Sequence, residues 1–295
     1  MDFSSCSLCP RECKADRTKY KGFCGCGDKI KIARAALHFW EEPCISGKNG
    51  SGTVFFSGCQ LKCCFCQNYK ISEEAFGKEI STDRLSEIFL ELQEKGAHNI
   101  NLVSATPYVP LVINALDNIK DKLHIPVVFN SGGYESVDTL KMLKGYIDIY
   151  LPDMKYSSPD IAEKYSSARD YPDVAKKALD EMFSQVGTPV FDDDGIMQKG
   201  MIIRHLALPN NLDDTYSVLK YISERFPDNS GLLSLMSQYT PCHKAFLHKE
   251  ISRRISTLEY EKAVDYALSL GLKGFMQERS SAKEEYTPPF DLEGV

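Results

Sequence analysis

The sequence has no apolar run of the roughly 18 residues needed to cross a bilayer as a helix. Its first residues, MDFSSCSLCPRECKADR, lack the apolar segment of a secretory signal. No membrane span is therefore expected, and the chain is read as cytoplasmic. Positive charge is also scarce: 35 Lys and Arg face 41 Asp and Glu, a net charge of −6. That balance argues against a broad nucleic-acid surface. Internal repeats and low-complexity tracts are missing, which excludes a solenoid or a largely disordered chain. Between Cys66 and Cys242 there is no cysteine. All but two of the eleven cysteines crowd towards the front in two groups, with Cys44 and Cys242 apart. Dense cysteine in a reducing compartment points to metal or catalysis rather than to disulfides.

The remaining chain, 295 residues with 43% hydrophobic and 26% charged side chains, has an ordinary globular balance. Short β-rich runs alternate with helical patterns. Thr53–Phe56 reads as a strand, and Leu85, Ile88, Phe89 and Leu92 form one face of a helix. Strands are predicted at 99–103, 126–129, 146–151, 200–208 and 232–236, with 274–277 as a final addition. Helices separate them, the last opened by a capping box of Ser256 and Glu259. Such alternation predicts an α/β fold, a partial (β/α)6-type parallel barrel with a small N-terminal cysteine-rich metal-binding segment. The expected division is a cysteine-rich segment over 1–50, the barrel over 51–279 and a surface tail over 280–295. Sites in such folds gather where strands end, so the residues after each strand are the ones to inspect.

The first strand runs into Cys59-x-x-x-Cys63-x-x-Cys66. Thiolates are the usual ligands of iron–sulfur clusters, and three of them leave one iron of a four-iron cluster without a protein ligand. An open position is what a catalytic metal needs. A zinc loop is the plainer reading of the same residues, but it would close on a fourth ligand. Cys64 is surplus to the spacing and reads as a buried apolar thiol.

The stretch FSGCQLKCCFCQNY, residues 56–69, resembles the signature loop of the radical S-adenosylmethionine (SAM) superfamily. The resemblance implies a [4Fe–4S] cluster on Cys59, Cys63 and Cys66, SAM on its fourth iron, and reductive cleavage of SAM to a 5′-deoxyadenosyl radical that takes a hydrogen from the substrate. It also implies an electron donor of the flavodoxin or ferredoxin type. The order CxLCPRxC, ARAALHFWEEPCISG, DIYLPDMKY, RHLALP and MSQYTP further resembles the pyruvate formate-lyase activating enzyme-related group. A queuine lyase is similar to that group. This resemblance implies a lyase releasing the base of a queuosine-type nucleoside or nucleotide. The alternative is activation of a partner glycyl-radical enzyme.

The resemblance also carries SAM contacts. Asp153 and Lys155 match a D-x-K at the end of the fourth strand, with Asp on the ribose hydroxyls and Lys on the carboxylate. Asn130 and Ser131 match a third-strand position near the same carboxylate, and Arg204 matches an arginine on the fifth strand. His205, on the opposite face, reads as structural. The family's Gly-Gly-Glu after the second strand is absent; Ser104-Ala105-Thr106 stands there, with Thr106 as the substitute contact. Tyr239-Thr240 replaces the Tyr-His common in activating enzymes, and Cys242-His243 nearby offers a thiol–imidazole pair.

At the front, Cys6, Cys9, Cys13 and Cys24 supply four thiolates, enough to close a tetrahedral structural site. A segment too short to bury its own core would then be held by its metal. Zinc is preferred to a second iron–sulfur cluster, and Cys26 is spare.

Overall fold

The computed structural model describes residues 3–277 and 288–295. Its strands are β1 (Ile30–His38), β2 (Ser51–Phe56), β3 (Lys78–Ile80), β4 (Ile100–Val103), β5 (Val127–Ser131), β6 (Ile149–Pro152), β7 (Val190–Phe191), β8 (Met197–Leu206), β9 (Leu232–Met236) and β10 (Gly274–Met276). They form one sheet in the order β10-β9-β8-β6-β5-β4-β2-β1-β3, with β7 paired to β8. From β2 to β10 the principal neighbours run parallel, joined by helices such as Thr82–Glu94, Tyr171–Val186 and Thr257–Ser269. The sheet is a parallel barrel that does not close, because β10 ends at one edge and β3 at the other. No helix among the described residues is long and apolar enough to cross a membrane.

The helix faces follow the sequence periodicity. Leu85, Ile88, Phe89 and Leu92 are all buried, and they pack with Val54, Phe56 and Leu102 of the sheet. The Ser256–Glu259 capping box forms in both directions. Pro172 opens a helix rather than breaking one, since a first-turn residue needs no amide donor.

Two regions depart from expectation. Residues 30–38 belong to the sheet, not to a separate N-terminal segment: β1 pairs antiparallel with β2 from Ile32 to His38. The reason is that both faces of the strand are buried: Ile30, Ile32 and Ala35 enter the main core, and Ala33 packs with Phe55 on the other side. The second is the C-terminus. The expected boundary at 279/280 lies outside the described residues. Residues 288–295 do more than lie on the surface. The Ala35 amide donates to the Glu293 carbonyl at 2.8 Å, and the Leu292 amide to that of Ala33 at 3.1 Å. Arg34 pairs with Asp291 at 2.7 Å and with Glu293, and Phe290 meets Phe55 edge-on. The tail therefore satisfies backbone groups that the short β3 leaves open along β1.

Candidate active site at the barrel rim

Where β2 ends, Gly58 adopts a left-handed φ of +86°, and a Cβ there would strike the Cys26 sulfur. The Cys59 amide donates to the Cys24 carbonyl at 3.2 Å. The loop is thus pinned to the N-terminal segment as it begins. Further on, the Cys64 amide is held by the Tyr165 carbonyl at 2.8 Å, which directs Cys64 inward.

The three spaced cysteines share a property, which among the other cysteines Cys6 also shows through Arg17. Each sulfur accepts a hydrogen bond: Cys59 from the Leu61 amide at 3.4 Å, Cys63 from the Ser166 hydroxyl at 3.0 Å, and Cys66 from the Ser72 hydroxyl at 3.2 Å. By contrast, the Cys26 and Cys242 thiols donate, to the carbonyls of Ser57 and Phe65. Acceptance suits thiolates that carry charge into a cluster, and such bonds tune its potential. Burial, reinforced by the neighbouring sulfurs, pushes the Cys59 thiol far up and Cys66 to about 11. A bound metal would reverse that balance by taking the thiolates as ligands. The donor set, three neighbouring sulfurs of which Cys63 and Cys66 line an open cleft of about 230 Å³, fits a cluster with one exposed iron.

That cleft continues over the strand ends. Asp153 follows β6, and its carboxylate takes Arg204 Nε at 2.9 Å on one oxygen and Lys155 Nζ on the other. Burial works against its charge, but Arg204 and Lys155 outweigh it and hold the carboxyl below its usual range. Arg204 also donates to Asn130 Oδ1 at 2.6 Å and reaches Glu41 at 3.4 Å. Glu41 accepts further from Asn101 and Asn130. Tyr171 fixes the turn: its hydroxyl accepts the Lys155 amide at 2.8 Å and lies within donating distance of the Gly132 and Asp153 carbonyls. Gly133, at φ +76°, lies so close to Asp153 that any Cβ would collide with its carbonyl.

Of the residues expected to contact SAM, Asn130, Asp153, Lys155 and Arg204 line the cleft with Cys63 and Cys66. Thr106 and Ser131 do not. Successive strand residues face opposite ways, so Asn130 points into the cleft while Ser131 is turned away and caps the Gly133 amide. Thr106 begins a helical turn and donates to Glu135 at 2.7 Å. The approach to it, Ser104, has a left-handed φ of +60°. Glu135 is buried among Thr106 and Gln60, and burial raises it to about 8.

His205 is structural, its ring held by the Met154 carbonyl at 2.8 Å and Thr215 at 3.0 Å. Cys242 and His243 do not form a pair: the thiol donates to Phe65, while the imidazole stacks on Tyr69 and meets Glu73 at 2.7 Å. Residues absent from the sequence expectation are Glu41 and Trp40 in the cleft and Ser72 and Ser166 on the sulfurs. Only the Glu41-Glu42 pair beside aromatic residues hinted at the first two.

Cys6, Cys9, Cys13 and Cys24 line one small cavity together with Arg17 and Gln60. The sulfurs of Cys13 and Cys24 flank Gly22, at 3.5 and 3.6 Å from where its Cβ would be. The buried Arg17 guanidinium donates to the carbonyls of Gly27 and Pro107 and reaches the Cys6 sulfur at 3.6 Å. Among the described residues, no three His, Cys, Asp or Glu side chains are already drawn into metal-ligand geometry.

A split parallel barrel with a three-thiol loop at its rim and a charged cleft beside it defines a class of proteins built to hold a cluster and an organic cofactor together. The Radical SAM superfamily model matches residues 53–193. An uncharacterized protein of Methanocaldococcus jannaschii, MJ0674, is 32% identical over 274 residues, covering 90% of this chain and 75% of that protein. Among solved structures, Streptococcus suis SuiB bound to its precursor peptide SuiA is similar in fold, with a TM-score of 0.50 and 14% identity over 75% of this chain. The chain spans only 46% of SuiB. The protein belongs to the radical SAM superfamily, whose members use a [4Fe–4S] cluster and SAM.

Proposed function

We propose that this chain is a radical SAM enzyme that releases the base from a modified-purine, queuosine-type nucleoside or nucleotide in the cytoplasm. Cys59, Cys63 and Cys66 would hold the cluster, and Asn130, Asp153, Lys155 and Arg204 would hold SAM beside it. When bound and reduced by a flavodoxin- or ferredoxin-type donor, that pair supplies a radical able to remove a hydrogen atom from carbon. The protein's part is placement. Asp153, kept ionised by Arg204 and Lys155, accepts hydroxyl donors. Lys155 offers a point cation to a carboxylate. Ser72 and Ser166 stabilise charge on the sulfurs.

The observation that carries the cluster and SAM assignment is three neighbouring acceptor sulfurs, two of which, on Cys63 and Cys66, line the cleft that also holds Asn130, Asp153, Lys155 and Arg204. For the substrate, support comes from a second cleft of about 830 Å³ that shares Trp40, Glu41 and Arg204 with the first. That size suits a small molecule. The glycyl-radical activating role stays as a second reading because Phe39 and Trp40 are half exposed at the mouth of that cleft, where a peptide loop could enter. The test is to reduce the reconstituted enzyme with SAM and queuosine or its 5′-monophosphate, then follow free base and 5′-deoxyadenosine by mass spectrometry. Matched release supports the lyase. No base, with a glycyl radical on an added partner enzyme, replaces it with the second reading.

Cys6, Cys9, Cys13 and Cys24 are proposed as a second, structural metal site, zinc before iron–sulfur. Their shared cavity supports this.

A further inference from the structure

A seam runs between the edge strand β10 and the segment that follows β1, and the larger cleft occupies it. The segment after β1 supplies one wall, with Phe39, Trp40 and Glu42; β9 and β10 supply the other, with Ser234 and Phe275. Glu42 is 92% buried by the 8% exposure of its surface, yet its Oε2 has no hydrogen-bond partner among the described residues. It lines the seam cleft and not the cleft beside the cysteines. Nearby, Asn101 Oδ1, on the strand that carries Glu41's partner amide, is likewise buried and unpartnered. Both orphaned atoms are acceptors.

The charges around them do not balance. Three carboxylates, the buried Glu42 and the partly buried Glu41 and Asp153, lie near two cations, Lys155 and Arg204. Lys155 sits on Asp153, and Arg204 bonds Asp153, Glu41 and Asn130 while attracting Glu42 only through space; Ser234 offers the Glu42 carboxyl one side-chain hydrogen bond. A buried carboxyl oxygen with no donor of its own is costly unless something brings it a proton donor or a positive charge. The remaining walls combine aromatic and apolar residues, among them Phe39, Trp40 and Phe275, with the polar Gln238 and Gln277; this suits a flat body with polar edges, and an aromatic face beside the acid favours a cation.

We propose that this seam is the substrate subsite and that Glu42 anchors in it a protonated amine carried on an aromatic or heterocyclic body. The proposal rests on the radical SAM reading and narrows its substrate to an amine-bearing class. Burial raises the Glu42 carboxyl against the pull of Arg204, and a cation bound beside it would favour its ionised form.

Trp40 is the single tryptophan of the sequence and lines the cleft, so its fluorescence reports from this place. Reconstituted protein is titrated with phenethylamine and with 2-phenylethanol, its uncharged counterpart. Calorimetry repeats the measurement without the fluorophore. Phenethylamine is expected to bind about tenfold or more tightly than the alcohol, as a charge-assisted bond requires. Glu42→Gln should erase that preference while SAM binds as before. Equal binding of the two probes in the unaltered protein overturns the proposal, with no variant needed. So does a preference that survives in Glu42→Gln. Queuosine separates the two claims. A Glu42-dependent amine preference with no base release retains the subsite and removes the nucleoside reading. Base release with an unchanged queuosine dissociation constant in Glu42→Gln removes the subsite and retains the reading.

Discussion

Two sets of cysteines sit back to back in this molecule, and they are built differently. At the rim, the sulfurs of Cys59, Cys63 and Cys66 each accept a hydrogen bond, and two of them face a cleft that opens onto charged strand ends. At the N-terminus, Cys6, Cys9, Cys13 and Cys24, of which Cys13 is exposed, line a small cavity whose guanidinium neighbour, Arg17, is itself buried. The contact between them is direct, through the Cys59 amide on the Cys24 carbonyl. The lesson is that thiol chemistry is set by surroundings. Three ligands beside an open cleft suit exchange and catalysis, whereas four around a closed space suit a structural tie.

The sharpest way to break the comparison is to remove one ligand from each set. Cys63→Ala should reduce 5′-deoxyadenosine formation by at least about a hundredfold, the scale expected when a cofactor's anchor is lost. Iron analysis and the cluster absorption should fall together. An alanine variant that forms 5′-deoxyadenosine as fast as the unaltered enzyme removes the ligand assignment. Cys9→Ala should do the opposite: lose a metal equivalent and lower the melting temperature by about 5 °C or more, yet leave the rim cluster spectroscopically intact. Equal metal content in the variant and the parent would mean that this cavity is not a metal site.

Between the two sets lies Glu135, bonded to Gln60 of the rim loop and to Thr106 at the N-terminal cavity. Its carboxyl is raised by burial to about 8. Because the folded form holds this proton where the unfolded chain, near 4.5, releases it, stability should fall as pH rises through the window from about 4.5 to 8. Below that window, both states are protonated and the effect vanishes. Glu135→Gln, which cannot ionise, should remove a change of roughly 5 kcal/mol across the window, read from denaturant melts at several pH values. Parallel slopes for the two proteins would show that Glu135 is ionised in the fold.

Smaller changes sharpen the rim side alone. Lys155→Ala should raise the SAM dissociation constant about tenfold, the usual value of one charge-assisted hydrogen bond. An unchanged constant with an intact cluster spectrum takes Lys155 out of the cofactor site. Ser166→Ala and Ser72→Ala each remove one donor from a sulfur, so the cluster potential should drop by on the order of tens of millivolts while SAM affinity holds. Spectroelectrochemical titration reads this directly, and an unmoved potential would assign both serines to packing.

Much of the architecture was legible because it is local. Leu85, Ile88, Phe89 and Leu92 announce a buried helix face by spacing alone, and that face is buried. Ser256 and Glu259 announce a helix start, and the cap forms. What escaped was non-local. Strand β1 hid within a stretch dominated by cysteines, since Lys31 and Arg34 interrupt its apolar residues. Neighbours in sequence also parted company: Asn130 enters the cleft while Ser131 turns away. Cys242 and His243 likewise turn to different partners.

The sequence by itself determined the order of the parallel strands from β2 onward and of the helices between them, the three-cysteine loop and the Asp153–Lys155 pair, because periodicity and short spacing act within a few residues along the chain. Only the tertiary structure decided which charges share the site. Arg204 meets Glu41 across 163 residues of sequence, and Cys63 finds its donor in Ser166 across 103. No local pattern encodes such meetings. They arise when the sheet curls and strand ends converge, and the cost of burying a charge without a partner then selects the residues that lie within reach.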